Sequence, residues 1–108
     1  MQTENGQLYL FTEINPKPEH FEDCRAAIEK IKPITLSKDG CQLFSLMVGL
    51  EPEKRLFLFT IWSDENALTD HHNQPYTQEI FELYQSWLAE PVKNTKMRSG
   101  SALTKDQF

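Results

Sequence analysis

Residues 55–76 read RLFLFTIWSDENALTDHHNQPY, and no other part of the chain says more about the fold. The run from Arg55 to Trp62 is dense in apolar and aromatic residues and predicts a strand. Ser63 or Asp64 then supplies a cap for a short helix that reaches about His72. The segment therefore places two adjacent histidines at the end of a short helix that directly follows a strand.

The segment before this strand predicts its partner. Cys41 to Leu50 reads as a second strand, and Glu51 to Lys54 is a polar connection too short for a crossover helix, so the two strands should form an antiparallel hairpin. Both strands are apolar at odd and even positions alike, whereas a sheet with water on one face would alternate. We therefore expect both faces of the sheet to be covered.

Two further strands and two longer helices complete the pattern. Leu8 to Ile14 predicts the first strand, and an amphipathic helix follows from Glu19, with Pro33 expected to kink or loosen its last turn. A second long helix should end at Pro91, and Val92 to Arg98 is the last predicted strand. The apolar stripe of this second helix comprises Tyr76, Ile80, Leu83, Tyr84, Trp87 and Leu88.

The order strand, helix, strand, strand, helix, strand predicts an α+β fold of the ferredoxin-like βαββαβ type. In that arrangement both helices cover one face of a four-stranded antiparallel sheet, and the other face is bare in a monomer. Because this second face is predicted to be apolar, burial against a second copy in a symmetric homodimer is the economical explanation. We predict one domain over residues 7–98 and a polar tail over residues 99–108.

Composition argues against several classes of function. The 108 residues carry a formal net charge of −5 without a cluster of basic residues, which argues against nucleic-acid binding. No apolar run approaches the roughly 20 residues that cross a bilayer, so we expect a cytoplasmic protein that does not bind membranes. Cys24 and Cys41 form no CxxC pair and are predicted to be reduced, buried thiols.

Several short motifs, in this order and spacing, resemble the antibiotic biosynthesis monooxygenase family. They span about Leu8 to Arg98 and are Asn15-Pro16-Lys17-Pro18, Asp39-Gly40-Cys41, Trp62-Ser63-Asp64-Glu65 with Ala67-Leu68, and His71 with Pro75. The resemblance implies a dimeric α/β barrel, built from two sheets, with a pocket between sheet and helices in each subunit. It also implies one of several activities, because related proteins include cofactor-independent monooxygenases, haem-degrading enzymes and an isomerase of a phosphorylated dione.

The resemblance disfavours haem degradation. The haem-degrading branch uses an Asn in the first strand and a Trp near the end of the short helix, where this chain has Phe11 and His71. Adjacent histidines rarely converge on one ion, and no third ligand stands at a recognisable spacing, so we expect no metal site. No phosphate loop or dinucleotide fingerprint is present, and we expect no bound cofactor.

His71 is the predicted catalytic residue because it occupies the position that matches the family. An imidazole that titrates near neutrality can take a proton from an acidic hydroxyl. The alternative is a histidine that caps the helix end or lies half-exposed. Consecutive helical residues diverge by about 100°, so only one of the two rings is expected to face a pocket. The predicted substrate-binding residues, each of which could instead be simple packing, are Trp62, Phe11, Met47, Tyr76 and His72.

Three functions follow as hypotheses. The first is a cofactor-independent monooxygenase that oxidises a quinol-like or phenolic small molecule with O2. The second is an isomerase of a small dicarbonyl, which for a phosphorylated substrate would need a cation such as Lys17 or Arg55 near the pocket. The third is a dimeric module that binds a hydrophobic ligand without catalysis.

Overall fold

The computed structural model describes residues 7–52 and 54–100. The elements in chain order are β1 (Leu8–Ile14), a single 3-10 turn (Pro18–His20), α1 (Phe21–Leu36), β2 (Cys41–Val48), β3 (Leu56–Trp62), α2 (Glu65–His72), α3 (Pro75–Trp87) and β4 (Lys93–Met97). The strands form one antiparallel sheet of four in the order β2-β3-β1-β4. This confirms the ferredoxin-like α+β prediction and the β2–β3 hairpin. Of the predicted tail, residues 101–108 lie outside the described residues.

One face of the sheet, called here the covered face, packs against the helices. Along β1 the residues Leu8, Leu10, Thr12 and Ile14 are buried, and the residues between them are partly exposed. This alternation follows from the period of two in a strand. The buried strand residues form one core with side chains from all three α-helices, among them Phe21, Cys24, Ile28, Leu68 and Ile80.

The opposite face, called here the open face, carries the side chains of alternate parity. Phe11 lies opposite Phe59, and Met47 lies opposite Phe57. The rings of Phe11 and Phe57 stack with centroids 5.8 Å apart. The large apolar residues of this face are Tyr9, Phe11, Leu43, Met47, Phe57, Phe59, Ile61 and Met97. Both faces are thus apolar, as predicted, but among the described residues the helices pack on one face only.

Of the two long helices, only α3 ends at a different place from the one that the sequence predicts. Helix α1 continues through Pro33 and ends at Leu36. Pro33 is on the exposed side of the helix, where water can bond to the carbonyl group that loses its donor. Helix α3 ends at Trp87 and not at Pro91. Its end is set by pairing with the segment after β1, because the Ala89 amide donates to the Asn15 carbonyl at 2.9 Å.

Candidate functional site

Helix α2 is held tightly against the start of the hairpin. The Asp64 side chain caps it, accepting a hydrogen bond from the Ala67 amide at 2.8 Å. Gly40 packs directly beneath, and a Cβ atom there would lie 2.3 Å from the Ala67 Cβ atom, so no larger residue fits without a shift. The Ser63 amide also donates to the Gly40 carbonyl at 2.8 Å. These contacts fix the direction of α2 and with it the position of His71.

The His71 ring lies against the buried Trp62, with centroids 4.7 Å apart. Its Nδ1 atom is buried and has no hydrogen-bond partner within the described protein. Burial, followed by the effect of the neighbouring His72, lowers the pKa of His71 from 6.5 to about 4. The imidazole is therefore neutral at pH 7, with one nitrogen available as an acceptor and the other as a donor.

His72 lines the same cavity as His71, so the prediction that only one of the two rings faces a pocket is wrong. His72 is the last residue of α2, and its ring turns toward Phe81 of α3, with centroids 5.8 Å apart. The two imidazoles are 5.6 Å apart. Burial, followed by the positive charge of Lys96, also lowers the pKa of His72. Both imidazoles are therefore neutral at pH 7.

The cavity lies between the covered face and the helices and has a volume of about 70 Å³. This is room for a few water molecules and less than the roughly 150 Å³ of an engineered cavity that holds benzene. Most of its lining is apolar. Two pairs of polar side chains on the wall satisfy each other: Thr12 Oγ1 donates to Asn94 Oδ1, and Trp62 Nε1 donates to Thr60 Oγ1, both at 2.8 Å.

The cavity adjoins a surface groove of about 470 Å³ beside the end of α3 and the start of β4. Phe81, Tyr84, Val92 and Asn94 line both spaces. Burial, followed by the effect of Cys24, raises the pKa of Tyr84, so its hydroxyl stays protonated. A ligand larger than the cavity would extend past these four side chains into the groove.

The structure separates the other predicted site residues. Trp62 and His72 line the cavity together with His71, but Phe11 and Met47 lie on the open face of the sheet. Strand parity explains this, because Thr12 and not Phe11 points to the covered face. Tyr76 is not part of the cavity lining; its ring lies 6.1 Å from that of His71, and its hydroxyl is buried without a partner in the described protein.

Sequence reasoning missed Thr77 and Phe81. Thr77, Ile80, Phe81 and Tyr84 all line the cavity, at the spacing i, i+3, i+4 and i+7 of one helix face. The signal was therefore present in the sequence. The predicted apolar stripe of α3 shares Ile80 and Tyr84 with the cavity wall, but it continues through Leu83 and Trp87 where the wall has Thr77 and Phe81.

Both cysteines are free and buried, as predicted. Burial raises the pKa of the Cys24 thiol to about 11 and also raises that of Cys41, so both are protonated. In the described parts of the chain, no group of three or more His, Cys, Asp or Glu side chains could hold a metal ion. No helix within residues 7–52 and 54–100 is long and apolar enough to cross a membrane.

A four-stranded antiparallel sheet with its helices on one face, and a cavity lined by His71 and His72 between them, defines a small ferredoxin-like α+β domain. The particular family follows from the sequence model for antibiotic biosynthesis monooxygenases, which matches residues 8–83. The chain belongs to this family. No curated protein sequence matches it.

Solved structures share the fold at low sequence identity. A protein from Mycobacterium tuberculosis is 20% identical with a TM-score of 0.83, over 91% of this chain and 99% of that one. A conserved protein from Methanosarcina mazei is 21% identical with a TM-score of 0.82, over 91% and 97%. A protein from Deinococcus radiodurans with the provisional name antibiotic biosynthesis monooxygenase is 19% identical with a TM-score of 0.79, over 90% and 96%. At these identities the likeness shows the fold alone.

Proposed function

We propose that this protein is a homodimeric enzyme that oxidises a quinol-like or phenolic small molecule with O2, without a metal or an organic cofactor. Family membership supports the reaction class. The observation that carries the proposal is the neutral imidazole of His71, whose buried Nδ1 atom finds no partner within the described protein. A buried polar atom is almost always hydrogen-bonded, so an unpartnered one on a cavity wall marks a binding position.

The proposed chemistry begins with transfer of a proton from a phenolic hydroxyl to His71. The resulting anion is electron-rich and can pass an electron to O2 directly. For a phenol with a free ring C–H group, one oxygen atom forms the new carbonyl of a quinone. The other oxygen leaves as water with the two hydrogens lost by the substrate, which supplies all the electrons. His71 is needed for the first proton transfer and for holding that proton close to the reduced oxygen.

The lowered pKa of His71 suits this role in a specific way. A pKa of about 4 keeps the free imidazole unprotonated, and thus ready to accept, throughout the neutral range. A phenolate formed beside it is an opposite charge in a poorly solvated site, which stabilises the imidazolium and raises its pKa in the complex. The acid limb of kcat/KM is therefore expected near pH 4, well below the ordinary histidine value of about 6.5.

The homodimer in the proposal rests on the open face. Its aromatic and aliphatic side chains form a continuous surface across the sheet, and Leu43, Met47 and Met97 are each more than a third exposed. A second copy packed face to face would bury this surface and close the barrel that the resemblance implies. A cytoplasmic location remains a prediction from the sequence.

The isomerase alternative has less support. It would use His71 to move a proton between carbons, and a phosphorylated dicarbonyl would need a cation at the cavity. Neither Lys17 nor Arg55 lines the cavity, and Arg55 faces Glu90 at 3.7 Å. Lys96 is the cation that affects His72, and its ammonium group lies 3.3 Å from the Glu65 carboxylate.

The test is O2 uptake with a panel of hydroquinones and naphthols in chelator-treated buffer. Wild type should consume O2, and His71→Gln should lose at least about 100-fold in turnover because glutamine cannot take the proton. The matched control is His20→Gln, since His20 lies outside the cavity in a 3.0 Å pair with Asp23. Wild-type turnover by His71→Gln would refute the role of His71. If wild type turns over no phenol, the monooxygenase function is refuted, and the isomerase and the ligand-binding module are the remaining hypotheses.

A further inference from the structure

The hydroxyl of Thr77 is the second unpartnered polar group on the cavity wall. Thr77 is 3% exposed, and its Oγ1 atom has no hydrogen-bond partner within the described protein. Within residues 7–52 and 54–100 three other threonines are buried, and each is partnered: Thr12 with Asn94, Thr60 with Trp62, and Thr35 with the carbonyl of Ile31. Thr77 is therefore the exception among chemically identical groups in similar surroundings.

The position of Thr77 in α3 explains why the helix itself cannot satisfy the hydroxyl. A threonine inside a helix bonds the carbonyl four residues back, as Thr35 does at 2.8 Å. Thr77 is in the first turn of α3, and four residues back lies Asn73, the residue that caps the end of α2. The carbonyl of the N-cap residue Gln74, three residues back, already accepts from the amides of Thr77 and Gln78, each at 3.0 Å. No carbonyl of the helix therefore partners the Thr77 hydroxyl, which is left available to a group in the cavity that Thr77 lines.

We propose that Thr77 is a ligand-anchoring residue, whose hydroxyl binds the second oxygen of a ligand that presents its first hydroxyl to His71. This rests on the proposed function and narrows its substrate class to phenols that carry two oxygen functions. Thr77 and His71 stand on consecutive helices, on either side of the turn that joins α2 to α3, and line one cavity. A threonine hydroxyl both donates and accepts, so it fits a hydroxyl or a carbonyl oxygen equally.

The size of the cavity supports such a ligand being held at its polar groups. At about 70 Å³ the cavity is smaller than one that holds benzene, so an aromatic ring enters it only if side chains such as Phe81 and Tyr84, which also line the surface groove, move aside. Apolar contact alone would not fix the position of the ligand's ring between the cavity and the groove. Two hydrogen bonds from the wall fix its depth and present one hydroxyl to the imidazole.

The test compares Thr77→Val with Thr77→Ser. Valine keeps the shape and removes the hydroxyl, whereas serine keeps the hydroxyl. The affinities of hydroquinone and phenol are measured by NMR titration under argon, so that binding is followed without turnover. Wild type and Thr77→Ser should bind hydroquinone about tenfold more tightly than phenol, and Thr77→Val should bind the two alike.

Thermal unfolding of the free proteins separates anchoring from a structural role. Removing an unpartnered buried hydroxyl should leave the Tm of Thr77→Val unchanged or raised. The control Thr35→Val removes a hydroxyl that is bonded at 2.8 Å and should lower the Tm. The proposal is overturned if Thr77→Val lowers the Tm as Thr35→Val does, if its hydroquinone preference survives, or if wild type has no such preference. Oxygen uptake is a separate measurement, so a protein that binds as expected without turnover contradicts the proposed function alone.

Discussion

The covered and open faces of the sheet are both rich in apolar side chains, but they differ in the state of their polar atoms. In the cavity between the covered face and the helices, His71 Nδ1 of α2 and Thr77 Oγ1 of α3 are buried without partners in the described protein. On the open face, Glu13 is partly exposed and faces Lys93 at 4.0 Å. A buried, unpartnered polar atom on the wall of a cavity marks a site for a ligand, whereas a half-exposed apolar surface whose charges are paired marks a site for another protein surface. The same sheet thus offers two kinds of recognition, one on each side.

The largest expected difference between the faces concerns packing. Trp62→Ala removes a side chain that is 1% exposed, together with its hydrogen bond to Thr60, and should cost about 4 kcal/mol of unfolding free energy. Phe59→Ala, on the open face, should cost less than about 1.5 kcal/mol in a monomer. Urea unfolding at low protein concentration measures both. If the two variants lose the same free energy regardless of protein concentration, the distinction between the faces is wrong.

The second expected difference concerns association. Phe59→Asp places a charge at the centre of the open face and should weaken the homodimer at least 100-fold, which is about 3 kcal/mol, because the carboxylate would be buried without a partner. Sedimentation velocity measures the dissociation, and circular dichroism checks that the fold is kept. Leu50→Asp is the matched control, because Leu50 is 89% exposed and follows β2 outside the sheet. A wild type that is monomeric at micromolar concentration would contradict the prediction.

Local patterns predicted the fold well and the site in part. The apolar, β-favouring runs of β1 and β3 and the Asp64 cap of α2 are local signals, and each element they predict is present. Period alone shows that Phe11 and Thr12 lie on opposite faces, but it does not show which face the helices cover when both are apolar. For this reason Phe11 and Met47 were predicted beside His71, and the structure has them on the open face.

Long-range contacts account for the other differences. The end of α3 depends on pairing between Ala89 and Asn15, which are far apart in sequence, and no local signal encodes this. The position of His72 depends on Phe81 of the next helix. The role proposed for Thr77 required knowing that its hydroxyl has no partner, which is a property of the packed structure and not of the sequence.

The smallest expected effect is the pH dependence of the unfolding free energy that comes from His71, on the covered side of the sheet. The pKa of His71 is about 4 in the folded state and about 6.5 in the unfolded state. Between these two pH values, His71 binds a proton in the unfolded chain but not in the folded chain. The stabilisation by neutral His71 is complete above pH 6.5 and is lost as the pH falls to about 4. Allowing for partial exposure of the ring, we expect a loss of about 2 kcal/mol.

His71→Phe keeps an aromatic ring against Trp62 and removes the proton site, so it should flatten this part of the stability profile. Urea unfolding at a series of pH values from 4 to 8 measures the slope. Above pH 6.5 the wild-type and variant curves should run parallel, which serves as the internal control. A variant that loses stability below pH 6.5 as steeply as wild type would show that other groups, with His72 the first to examine, set the pH dependence. The loss of stability in acid would then come from His72, which lies beside Phe81, and not from His71, which packs on Trp62.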